Sequence, residues 1–188
     1  MNLEFTFIVI NLDDNLQGLI QTKNSIRSNF SQDIINIVNH KINADDFEKM
    51  NKICESFKCK NEISIKCDET DKVPEFINTG LKNIKTEWGF FLVAGSHIFP
   101  SVFRKIQFFL KSPKDIMYPV LDKKRIYFDQ ASINGLFVNK KAIKDVGEMP
   151  TDMWKENTSM LTLSKRFWQQ EAIQKGYTFK GIVGMRIC

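Results

Sequence analysis

The chain lacks a Cys-x-x-Cys knuckle, an apolar run approaching the roughly 20 residues that cross a bilayer, and, with two histidines in 188 residues, any histidine-rich tract. Its four cysteines (Cys54, Cys59, Cys67 and Cys188) include one close pair, five positions apart. That spacing speaks against a zinc site and for free thiols in a reducing compartment. No basic segment followed by a cleavage site precedes the first strand-like stretch, so the expected setting is cytoplasmic, with no membrane span. Internal repeats, low-complexity tracts and linkers are also missing. The expectation is one domain over residues 1–188, long enough to bury a full core.

Hydrophobic residues make up 43% and charged residues 26%, an ordinary globular composition that excludes a disordered chain. The net charge of +5 is compatible with nucleic acid, a membrane surface or a phosphorylated ligand. The lysines are dispersed, however, and the densest basic cluster, Lys123-Lys124-Arg125, is short. No helical segment reads as a continuous basic face with interleaved aromatics, so no nucleic-acid partner is expected and most of the charge reads as solvated surface.

Apolar periodicity alternates between two and 3.6 residues along most of the chain. Phe5–Ile10 is short, β-branched and aromatic, as a buried first strand is, and Asp14 or Asn15 is placed to cap a helix reaching about Ser28. A strand over 33–38, a helix over 44–57, a strand over 62–67, a helix over 73–84 and a strand over 88–93 follow. After Pro100 the pattern predicts a helix carrying Val102, Phe103 and Ile106. Strands are then expected at 116–120, 125–128 and 132–138, helices at 140–146 and 162–175, and a last strand after Gly176. Strands alternating with helices imply a mainly parallel sheet covered on both faces.

The most informative stretch is Lys72–Pro100. A helix bearing Asn78 and Gly80 leads into the apolar Trp88-Gly89-Phe90-Phe91-Leu92-Val93, which breaks into Ala94-Gly95-Ser96-His97. A buried strand ending in small and polar residues is where an open α/β sheet presents its ligand. This arrangement resembles the GT-A glycosyltransferases, especially the family-two type. Those enzymes place an Asn-bearing helix before a central strand that ends in Asp-x-Asp-Asp, with a proline following after three more residues. Laid onto that pattern, Val93, Ala94, Gly95 and Ser96 occupy the acidic tract and Pro100 takes the proline position. The carboxylates are missing. The segment Ser132–Lys141 followed by Val146-Gly147 resembles the acceptor side of the same family.

The resemblance implies a GT-A-like (Rossmann-like) three-layer sandwich with a mainly parallel central sheet. It also implies roles for individual residues. Nucleotide binding falls to Asn11, Asp13 and Asp14 after the first strand and to Asn39 after the second, where the family has an acid. Helix capping and turn formation are the alternatives for these. Asn78 and Lys82, one helical turn apart, would face the base or diphosphate, unless they lie on a solvated face. Gly95 and Ser96 would meet phosphate through the hydroxyl and the nearby backbone N–H groups. His97 is a candidate ligand for a divalent metal, Mn or Mg, or else a structural histidine; Asp68, Glu69 and Asp71 are the nearest acids. Asn134, Gly135 and Trp154 would bind the acceptor. The family's catalytic acid falls near Ser164-Lys165, which cannot serve. Asp152 and Glu156 are therefore the candidate general bases, and Lys165 or Arg166 the residues that would reach phosphate.

The reading that follows is a glycosyltransferase binding a nucleotide-diphosphate sugar, UDP-linked by expectation, and transferring the sugar to a glycan or other hydroxyl acceptor. The alternative is a degenerate GT-A domain that binds nucleotide sugar or glycan without turnover. A basic nucleic-acid-associated α/β protein is a third reading, without a motif to support it.

Overall fold

A computed structural model of the chain describes residues 3–11, 16–38, 42–56, 62–66, 73–120, 128, 132–151, 159–183, 185 and 187. Within them the elements are β1 (Phe5–Asn11), α1 (Leu16–Arg27), β2 (Ile34–Val38), α2 (Ala44–Ser56), β3 (Glu62–Lys66), α3 (Val73–Asn83), β4 (Trp88–Val93), α4 (Ser101–Phe109), β5 (Asp115–Val120), β6 (Phe137–Asn139), α5 (Lys141–Val146), α6 (Ser159–Gln174) and β7 (Thr178–Val183). They form a seven-stranded sheet in the order β3-β2-β1-β4-β6-β5-β7. Strand β6 runs antiparallel to both its neighbours, and every other pairing is parallel. No described helix is long and apolar enough to cross a membrane.

The sequence pattern explains this architecture. Strand β1 is buried at every position, so both its faces need cover. Phe5, Phe7 and Val9 point into one core with α1 and α4, through Leu19, Ile26, Val102, Phe103 and Ile106. Ile8 and Ile10 point into the other, with α3 and α6, through Phe76, Ile77, Leu81, Trp168 and Ala172. The first core is aromatic: Phe5 stacks on Phe103 at 4.4 Å between centroids, and Trp88 on Phe137 at 4.8 Å. Helices α1 and α2 carry the chain from β1 outward to β3. Helix α3 carries it back across β2 and β1 to β4 on the opposite face, as right-handed crossovers require when the direction of travel reverses.

Two sequence expectations are corrected, and a third lies almost wholly outside the described residues. The strand expected over 132–138 is confined to Phe137–Asn139. Gly135 adopts φ +97°, which an L side chain rarely takes, and turns the chain into β6. The segment still pairs with β4, because Gly135 N–H donates to Phe91 O and Phe91 N–H to Leu136 O. The final helix begins at Ser159, before the expected Thr162, and the last strand runs on to Val183. The strand expected over 125–128 lies outside the described residues except for Phe128, whose buried ring packs on Tyr118 and Phe179.

Helix α3 lies directly on the sheet because Gly80 has no side chain. A Cβ there would stand 2.8 Å from Ile8 Cγ2, 3.1 Å from Phe91 Cε1 and 3.2 Å from Ile37 Cδ1. Gly80→Ala is therefore expected to destabilise the protein by about 1–3 kcal/mol through overpacking, against the usual helix preference for alanine. Chemical denaturation would measure it, and an unchanged or raised midpoint would contradict the close helix–sheet contact.

Candidate functional site

The order β3-β2-β1-β4 reverses direction between β1 and β4, and ligands in open α/β sheets bind at the carboxyl edge of such a point. The three strand ends finish level: Asn11 pairs with Val38 and Ile10 with Val93. Asn11 is fully buried at this edge, and its Nδ2 lies 3.9 Å from Met50 Sδ. Asp13, Asp14 and Asn39, which follow the ends of β1 and β2, lie outside the described residues, as do Asp68, Glu69 and Asp71.

The loop after β4 is fastened by its backbone. Ala94 N–H donates to Ile10 O, Gly95 N–H to both Gly18 O and Thr22 Oγ1, and Ser96 N–H to Val93 O. Ile98 N–H donates to Ser25 Oγ. These donors all act within the protein, so the backbone anion nest expected around Gly95 does not form. Gly95 contributes shape: φ is +98°, it is exposed, and nothing lies within 4 Å of where a Cβ would be. Thr22 and Ser25, one turn apart on α1, were not legible as site residues. Two small polar residues beside Leu19 and Ile26 were the available signal.

Asn134 joins the two halves of the site. Its Oδ1 accepts Val93 N–H at 3.1 Å and the Ser96 hydroxyl at 3.0 Å, while its own N–H is held by Ser132 Oγ at 3.0 Å. Because the Val93 amide can only donate, the oxygen of Asn134 must face it, and the two Nδ2 hydrogens are turned away from β4. Ser96 is buried and its proton goes to Asn134, so its free capacity is as an acceptor. Gly135, beside Asn134, is buried; a Cβ would come within 2.5 Å of Ile187 Cδ1, so it shapes the turn.

The remaining expected residues lie elsewhere. Asn78 is buried in α3 with both amide ends on Met149: Nδ2 donates to its carbonyl at 2.9 Å and Oδ1 accepts its N–H at 2.8 Å. Lys82 is exposed and pairs with Glu148 at 2.8 Å. Helix α3 descends from the carboxyl edge toward the start of β4, which carries Lys82 away from the crevice. The Asn78–Lys82 face thus holds the segment after α5 rather than meeting a ligand. His97 is exposed, with its ring edge-on to Phe99 at 4.8 Å. Lys165 is buried with its Nζ 5.1 Å from the Phe128 ring centre, and Ser164 is buried beside it, so neither is open to a phosphate. Asp152, Trp154 and Glu156 lie outside the described residues. A cleft of about 380 Å³ opens at the opposite, amino edge of the sheet, between Leu3, Trp88, Leu110 and Pro113, away from this crevice.

The described residues at the end of β4 do not by themselves make a divalent-cation site. Val93, Ala94 and Gly95 offer no side-chain oxygen, His97 is a single nitrogen donor, and no group of three His, Cys, Asp or Glu converges among the described residues.

No family model and no curated protein matches the chain. Solved structures do match its fold. The mannosyltransferase PcManGT from Pyrobaculum calidifontis, solved with GDP-Man and Mn2+, superposes with a TM-score of 0.71 at 9% identity, over 96% of this chain and 55% of that one. TarS of S. aureus gives 0.62 at 12% identity over 97% of this chain, which spans 35% of that longer protein, and a shorter form has been solved with UDP-GlcNAc. The 4-diphosphocytidyl-2C-methyl-D-erythritol synthase from Anaerococcus prevotii gives 0.64 at 16% identity over 96% of this chain and 89% of that one. The chain thus has the α/β GT-A architecture, and it spans about a third to three-fifths of the glycosyltransferases that share it.

If Asn134 Oδ1 ties the two halves together, Asn134→Ala should cost about 1–3 kcal/mol by leaving Val93 N–H and the Ser96 hydroxyl unpaired. Asn134→Asp keeps both bonds and should retain most of the stability. Equal losses in the two variants would show that the carbonyl oxygen is not what matters.

Proposed function

We propose that this domain binds a nucleoside-diphosphate sugar, UDP-linked, at the carboxyl edge of β1 and β4 and transfers the sugar to a hydroxyl of a glycan or other acceptor. The observation that carries this reading is the level ending of β2, β1 and β4 at the reversal of strand order, with the Asn134 turn bonded to the end of β4. The three neighbours named above add support, since each is named or solved with a compound containing a nucleoside diphosphate.

In this reading Asp13, Asp14 and Asn39 meet the nucleoside while Asn11, fully buried, supports that edge from within, Gly95 leaves room above the end of β4, and Asn134 Nδ2 donates to the ligand. The acceptor hydroxyl attacks the anomeric carbon, the bond from that carbon to the phosphate oxygen breaks, and the nucleoside diphosphate leaves. A carboxylate takes the hydroxyl proton. Asp152 and Glu156 are proposed for that task, with Trp154 stacking on the acceptor. The third acid of that region, Glu148, is held by Lys82. Because the described residues at the end of β4 do not by themselves hold a divalent cation, no step is assigned to one.

A second reading, binding without turnover, is favoured by one observation. Ser164 and Lys165, both buried, stand where the resembled family has its acid.

Thermal melting with UDP, GDP and their sugars, each with and without Mn2+, tests the binding reading. A cognate nucleotide should raise the midpoint by mass action, with little added by Mn2+, and Asn134→Asp should weaken it by setting a carboxylate near the diphosphate. Tight, Mn2+-dependent binding abolished by His97→Ala would restore a metal site at His97, and no shift with any nucleotide would remove the proposal.

The two readings separate on turnover. Asp152→Asn and Glu156→Gln should leave nucleotide binding intact, while one of them lowers hydrolysis of the donor sugar by about a hundredfold or more. Wild-type rates in both would clear them as bases. A wild-type protein that binds UDP but turns over no donor would establish the binding-only reading.

A further inference from the structure

The aromatic–basic surface of α4 lies outside the site described above. Between Phe99 and Lys114 the chain has four basic residues, Arg104, Lys105, Lys111 and Lys114, and no acid. Helix α4 buries Val102, Phe103 and Ile106 and turns two rows of side chains outward. Arg104 stands one turn before Phe108, and Lys105 one turn before Phe109. Phe108 is 70% exposed and Phe109 44%, with the rings edge to face at 5.1 Å. Lys111, just past the helix, brings its Nζ to 5.5 Å from the Phe108 ring centre. The patch continues onto edge strand β7, where Lys105 Nζ donates to the carbonyl of half-exposed Val183 and Lys180 Nζ to Phe109 O.

The next acid in sequence cannot balance this charge. Asp115 is buried, and its Oδ2 accepts Lys180 Nζ at 2.7 Å and the N–H groups of Lys111 and Ser112. Burial alone would raise its carboxyl, but those three donors outweigh it and hold the group below its usual range, fully ionised and already paired. Among the described residues neither Arg104 nor Lys111 makes an ion pair, although Glu4 and Glu87 line the amino-edge cleft with Lys111, and both cations stand beside two exposed phenylalanines. Adjacent apolar side chains left in water mark an interaction surface, and the cations around them select its partner.

We propose that this face of α4 docks on an anionic membrane surface, with Phe108 and Phe109 entering the headgroup region and Arg104 and Lys111 held at the phosphates. Charge complementarity decides for this occupant. A second copy would set Arg104 and Lys111 against their own counterparts, with no acid between Phe99 and Lys114 to answer them. A single-stranded nucleic acid would need open ring faces to stack on, and here one ring meets the other edge-on while Lys111 lies over Phe108. The inference is independent of the nucleotide-sugar reading.

Co-sedimentation with vesicles of phosphatidylcholine, with and without phosphatidylglycerol, tests it at low and high salt. The protein should bind only the anionic vesicles and release as salt screens the charges. Arg104→Ala and Lys111→Ala should each weaken binding about fivefold. Phe108→Ser with Phe109→Ser should weaken it about tenfold or more. These side chains are exposed, so melting and circular dichroism should match wild type and any nucleotide-induced shift should persist. Equal binding to neutral and anionic vesicles, or undiminished binding of the serine variant, overturns the proposal. So does a dimer in light scattering that Phe108→Ser dissolves, which would make the patch a contact between copies.

Discussion

The pairing of β1 with β4 is the constraint on which the rest of the molecule depends. Six residue pairs, from Phe5 with Trp88 to Ile10 with Val93, run parallel at the centre of the sheet with both faces covered. A strand buried on both faces is mostly apolar, with its polar members Thr6 and Asn11 bonded to Thr86 and Met50, and its alternation decides which core each side chain enters. Phe5, Phe7 and Val9 of β1 point toward α1 and α4, and Ile8 and Ile10 toward α3 and α6. The same pairing sets the two carboxyl ends side by side. It therefore makes both the core and the crevice.

The crevice is held open by polar groups that bond across it. Asn134 Oδ1 binds the β4 end to the turn before β6, and Thr22 and Ser25 bind the following loop to α1. Elsewhere in the family that the chain resembles, carboxylates stand at the end of β4. Here the hydrogen-bonding capacity of Ala94, Gly95 and Ser96 is directed inward. What faces outward is a glycine without neighbours and the amide nitrogen of Asn134. Such a site suits a ligand recognised by hydrogen bonds and shape better than one held through a bridging cation.

Much of the fold was legible because hydrophobic period reports burial directly. Phe5–Asn11, Trp88–Val93 and the helices between them are long enough, and buried on enough sides, for the pattern to be unambiguous. The segment from Ser132 to Leu136 misled because its two apolar residues, Ile133 and Leu136, serve packing rather than strand formation. Leu136 and Ile133 fill the α3 core, while Gly135 takes a backbone angle that no periodicity records. Asn78 misled differently. A polar residue on a buried helix face can serve a ligand or a neighbouring backbone, and in sequence the two look alike. Its partner, Met149, is 71 positions away.

By itself, the sequence determined the alternating α/β order, the two-sided burial of β1 and β4 and the absence of carboxylates at the end of β4, because these follow from residue type and local spacing. Which polar groups meet was decided by the tertiary structure alone. The Asn134 bonds span about forty positions and the Thr22–Gly95 bond seventy-three, and the Lys180–Asp115 pair beside α4 spans sixty-five. A hydrogen bond depends on distance and angle in space, and no local pattern encodes which far residue the fold will bring within 3 Å.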